Sequence, residues 1–143
     1  MRRVSFVLNR VTATTLVVLA AGQAALAGSF LDGNYNMIRV HMIGAMAMLA
    51  VSLIQLVVVI FARRAGAPRS ILVPGIVMPF VIALQAFLGG SRILSVHVLL
   101  GTLLVFGLAQ GARMAFSRPV RAASPGPESA VTAGADVVTG EAA

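Results

Sequence analysis

The sequence predicts an all-α membrane protein: a four-transmembrane, up-down-up-down helix bundle made of two repeated helical hairpins, with both termini cytoplasmic. Three observations carry this. Of 143 residues, 59% are apolar and only 10% charged, with a mean hydropathy of +0.97, whereas an average globular chain is about a quarter charged. Four apolar stretches each approach the roughly 20 residues a helix needs to cross roughly 30 Å of hydrocarbon. The charges fall between those stretches: all 11 basic residues are Arg, and residues 1–127 hold one carboxylate, Asp32. A net charge of +7 would suggest nucleic acid if it formed a basic face on a soluble domain. Here the arginines punctuate apolar runs, so the partner is the lipid bilayer and not nucleic acid. With no Cys, disulfides, thiolate metal sites and covalent haem attachment are excluded.

The elements follow in order. A short cytoplasmic N-terminus (1–10) carries Arg2, Arg3 and Arg10. The membrane domain (11–116) holds spans over 11–27, 37–62, 71–88 and 94–116. Arg63, Arg64 and Arg69 separate the second span from the third, and Arg113, Arg118 and Arg121 close the fourth. The other two connections hold only Asp32 and Arg92, with Arg39 just inside the second span. Nine arginines on one side against two on the other set an N-in, C-in orientation by the positive-inside rule, in a bacterial inner membrane. The tail 117–143, rich in Pro, Gly, Ala and small polar residues, is expected to be disordered. Met1–Ala27 also reads as a cleavable signal peptide, with a basic start and Ala25-Leu26-Ala27 as cleavage site. A repeat argues for its retention, since a cleaved signal has no reason to resemble a later span.

That repeat pairs Gln23-Ala-Ala-Leu-Ala-Gly28, followed after a loop by His41-Met-Ile-Gly44, with Gln85-Ala-Phe-Leu-Gly-Gly90, followed by His97-Val-Leu-Leu-Gly101. Gln and Gly are five residues apart in both halves, and each His has a Gly one turn on, along the same helical face. Gln55 and Gln110 fall in near-equivalent places. Both histidines lie about four residues into a return helix, so both sit on the outer side, roughly 6 Å below the helix start. Gln23 and Gln85 belong to the same layer. The second and fourth helices of such a bundle are diagonal neighbours, so the two imidazoles can point at each other across the core.

The chain's only two histidines, His41 and His97, are therefore candidate axial ligands of one b-type haem, a common use of neutral imidazole. Gly44 and Gly101, with Gly28 and Gly90, leave space for a flat macrocycle. Arg39 and Arg92 on the rim suit two propionates, because Arg–carboxylate pairing can be bidentate. Gln23 and Gln85 could hydrogen-bond a ligand edge or an imidazole nitrogen. Blander readings stand beside these. Each His could make a structural interhelical hydrogen bond, the glycines could be close-packing residues, and the two arginines could snorkel to the interface.

A span ending in Gln-x-x-x-x-Gly, an outer loop and then His-x-x-Gly, twice over, resembles one four-helix half of the haem A synthase family, covering about Leu19–Met114. It is also similar to small bacterial four-helix membrane proteins. The resemblance implies that His41 and His97 are the paired haem ligands. The departures are specific: Gly22 and Leu84 stand where those enzymes carry Glu before the Gln, Asp32 stands where they carry Arg, and the second bundle is absent. No membrane-embedded carboxylate remains for acid–base work. Haem b binding is thus implied and haem A synthesis is not, with no catalytic residue assigned.

The expected function is electron transfer or haem handling, with a quinone or a respiratory complex as partner. The alternative is a non-haem structural or assembly subunit docking through its small-residue faces. A transporter fits least: broken helices and acid–base relays are expected there, whereas only Pro79 is interior enough to kink a span and no acidic relay exists.

Overall fold

The computed structural model describes residues 2–117, and the tail expected to be disordered lies outside them. The described residues are all-helical apart from short connections, with four helices among them, each long and apolar enough to span a membrane. These are α1 (Arg2–Leu31), α2 (Met37–Arg64), α3 (Leu72–Gly90) and α4 (Leu94–Phe116). The helices pack as a ring, α1 on α2, α2 on α3, α3 on α4 and α4 on α1, and neither diagonal pair is in backbone contact. Cross-helix contacts put neighbours antiparallel: Gln55 on α2 meets Asn9 on α1, and Gln85 on α3 meets His97 on α4. One end of the bundle therefore carries the α1–α2 and α3–α4 turns (the loop end). The other carries the α2–α3 connection and Arg3, Arg10, Arg63, Arg64, Arg69 and Arg113 (the arginine end).

α2 and α3 end two residues beyond the expected spans, and α1 differs more, at both of its ends. Residues 2–10, assigned to a separate N-terminus, are part of α1, because Arg is a good helix former and Asn9 is buried within the bundle. At its other end α1 continues four residues past Ala27, so Gln23 lies eight residues from the helix end. The α2–α3 connection contains a single 3-10 turn, Arg69–Ile71.

Three of the helices end in the same way. After α1, the Asn34 amide donates to Ser29 O and the Gly33 amide to Phe30 O. After α2, Ala67 and Gly66 donate to Ala62 O and Arg63 O. After α3, Ile93 and Arg92 donate to Leu88 O and Gly89 O. Each is a Schellman cap, whose penultimate residue must adopt a left-handed conformation. Gly33 and Gly66 do so at φ +96°, but at the third cap the residue is Arg92, at φ +59°.

The packed interior sits in the middle and at the arginine end. One apolar cluster joins all four helices through Leu16, Ala20, Met48, Ile82, Leu104 and Leu108. A second joins Val59, Ala62, Ala67 and Ile71. Gly75 lets α3 approach α2, since a Cβ there would come 2.9 Å from the Val59 methyls. Pro79, buried inside α3, has no N–H and so leaves Gly75 O without its helical donor.

Candidate functional site

Beyond the central cluster, towards the loop end, the two imidazoles face the bundle interior. His41 lies in the second turn of α2 and His97 in the first turn of α4. Their ring centres are 6.2 Å apart and their planes inclined at 66°, so the pair bridges a diagonal that the backbones do not.

Each ring is fixed by the helix before it. His41 Nδ1 lies 3.2 Å from Gln23 O, and His97 Nδ1 lies 3.0 Å from Gln85 O. A carbonyl oxygen only accepts, so in both rings Nδ1 carries the proton and donates it. The lone pair of each neutral imidazole is then on Nε2, which has no protein hydrogen-bond partner among the described residues. Donation of the second ring N–H to a backbone carbonyl is the arrangement that metal-ligating histidines commonly show.

The glutamines extend the pattern. Gln85 Nε2 donates to His97 O at 2.7 Å, so Gln85 holds His97 from both its backbone and its side chain. A Cβ on Gly44 would overlap Gln23 Nε2, and one on Gly101 would come 2.7 Å from Gln85 Nε2. The space at Gly44 and Gly101 thus belongs to the glutamine amides and not to a macrocycle lying on the backbone. At Gly28 and Gly90 an added Cβ would meet nothing within 4 Å, so no described protein group fills the space beside either glycine.

One glycine passed over in the sequence does touch it. A Cβ on Gly89 would come 2.9 Å from His97 Cε1 and 3.1 Å from Nδ1. Gly89 stands four residues after Gln85, on the same helical face, and that spacing was the available signal. Its counterpart by the repeat is Ala27.

Two buried oxygens in this layer, Gln23 Oε1 and Gln85 Oε1, have no hydrogen-bond partner among the described residues. A buried acceptor left unpaired costs about 1–3 kcal/mol. Arg39 and Arg92 are exposed at the rim. Arg92 keeps its place despite the left-handed backbone, which costs a residue with a Cβ about 1 kcal/mol or more.

The second polar cluster, at the arginine end, ties α1 to α2. Gln55 Nε2 donates to Asn9 Oδ1 at 2.8 Å, Thr12 Oγ1 donates to Gln55 Oε1, and Ser52 Oγ donates to Leu49 O at 2.7 Å. Gln110 does not mirror Gln55: its Oε1 accepts from Arg113 Nη1, one turn on in α4. The likeness of the two halves fails at this level because only Gln55 has a buried polar partner to meet. Asn9 was not singled out in the sequence, where one amide in an apolar run carries little signal.

No group of three or more His, Cys, Asp or Glu that could hold a metal occurs among the described residues. Two imidazoles alone suit an ion whose remaining positions are filled by its own macrocycle. Among known proteins, no family model, no curated protein and no solved structure matches the chain.

Proposed function

We propose that the protein binds one b-type haem between α2 and α4, which His41 and His97 would hold. The observation that carries this reading is the imidazole pair itself: two rings on diagonal helices, each with Nδ1–H engaged by a carbonyl and Nε2 unengaged. A metal–imidazole bond of about 2.0 Å and a nitrogen about 1.1 Å from its ring centre would put two imidazoles sharing one metal about 6.2 Å apart, centre to centre. The rings are 6.2 Å apart, a spacing at which the two could hold one metal between them.

The chain's own groups divide the work. Gln23 O and Gln85 O hold both imidazoles in the ligating tautomer. The Gln85 amide and the close approach of Gly89 set the His97 ring in place. Arg39 and Arg92 supply cationic partners for carboxylates at the rim, and retention of Arg in a glycine position favours that role for Arg92. The haem would supply one-electron redox chemistry. Electron transfer with a quinone or a respiratory complex, or haem handling, is the corresponding activity. The arginine distribution supports a bacterial inner membrane with N-in, C-in topology and the loop end outside.

The test is a reduced-minus-oxidised spectrum of the full chain purified after expression with ample haem. The expected result is low-spin b-type bands that survive washing. If the wild-type chain shows none, the histidines are interhelical hydrogen-bond donors and the structural or assembly-subunit reading stands, which the same two Nδ1–H bonds also fit.

A further inference from the structure

At the opposite end of the bundle, Arg10 lies in the seam between α1 and α4, half-buried. Its Nε donates to Ala115 O at 3.2 Å, and its guanidinium sits over the Phe116 ring, 5.2 Å from the centroid. Among the described residues no carboxylate balances it: Asp32, the only one there, is 22 residues along the sequence from Arg10, beyond the far end of α1. The outer guanidinium nitrogens have no protein acceptor among the described residues. A cation partly withdrawn from water at the edge of an apolar layer needs a counter-charge.

From that cation an open apolar groove runs along one face of α1, through Val7, Val11, Thr14, Val18 and Leu19, with Phe116 of α4 beside it. Arg10 to Leu19 spans about 14 Å of helix, against about 15 Å for the hydrocarbon of one leaflet. The groove thus has the length of one leaflet, apolar walls and a fixed cation near the arginine end. A free anion would engage the cation and leave the walls bare.

We propose that this seam is a binding site for one anionic phospholipid, its phosphate on Arg10 and an acyl chain along Val11, Thr14 and Val18. Basic pockets between membrane helices recognise anionic headgroups in this way. The site is independent of the haem reading and lies at the opposite end of the bundle.

The experiment is native mass spectrometry of the full chain released from mixed micelles containing dioleoyl phosphatidylglycerol or dioleoyl phosphatidylcholine. The wild type is expected to retain one phosphatidylglycerol, preferred about fivefold or more over phosphatidylcholine. Arg10→Gln should abolish the preference. Val18→Trp, at an exposed position, should expel the lipid, and Thr14→Trp gives a second groove-filling variant should the first misfold. Arg64→Gln, exposed and outside the groove, should change nothing. Equal retention of the two lipids by the wild type overturns the proposal. So does a loss of preference in Arg64→Gln as large as in Arg10→Gln, lipid retention in both Trp variants, or a protein dimer in place of the lipid adduct.

Discussion

The two ends of the bundle solve the same problem differently. At the arginine end, Asn9, Thr12 and Gln55 meet one another and both oxygens of the amide pair have donors. At the loop end, Gln23 and Gln85 each leave a buried oxygen unpaired, and two imidazoles each leave a nitrogen unengaged. Most of the buried apolar residues lie in the central and arginine-end clusters. Mutual hydrogen bonds between buried amides fix helix register. The loop end keeps acceptors and lone pairs that no protein group among the described residues engages.

The sharpest break of this comparison is at the histidines. His41→Ala or His97→Ala should each lose most of the low-spin haem spectrum while keeping the helical circular dichroism of the parent. Retention of the bands by both variants would make the two ends alike, each merely structural.

The converse experiment is Gln55→Leu, which strands Asn9 Oδ1 without its donor. It should lower stability by about 1–3 kcal/mol, read from detergent-titrated unfolding, and leave the haem spectrum unchanged. A spectral loss as large as that of the histidine variants would mean the two ends are coupled.

Gly89→Ala sharpens the comparison within the loop end. Its methyl must displace the His97 ring, now 2.9 Å from where the Cβ would stand. Partial haem loss or a shifted Soret band is expected in the absorption spectrum. Gly28→Ala, with open space around it, should show neither.

The smallest effect separates strain from use. Arg92→Gly should raise fold stability by about 1 kcal/mol, since glycine adopts the left-handed cap freely, and should weaken haem retention in a dilution series. Stabilisation with unchanged retention would leave Arg92 without a part in binding.

Much of the architecture is legible in the sequence because hydropathy and arginine placement act over whole helices. The start of α4 at Leu94 and of α2 at Met37 follow from the apolar stretches alone. The limits of α1 do not, because a helix runs on through Arg2, Arg3 and Arg10 and through Gly28-Ser29-Phe30-Leu31 while its backbone hydrogen bonds continue. At the site, the recurring Gln and His point to one layer, but their spacing could not say what fills Gly44 and Gly101. A glycine admits a glutamine amide and a flat ligand equally well, and only coordinates distinguish them. Asn9 escaped for a related reason: its partner Gln55 is 46 residues away, and nothing local records the meeting.

The two Nδ1–H bonds have a consequence for how such a site tolerates change. Their acceptors are main-chain carbonyls, which every amino acid supplies. Substituting the side chain at position 23 or 85 alters the amide packing but leaves the acceptor where the helix puts it. The tautomer of each imidazole is thus written into the course of α1 and α3, and drift in sequence can erode the lining of the layer long before it disturbs the orientation of its two rings.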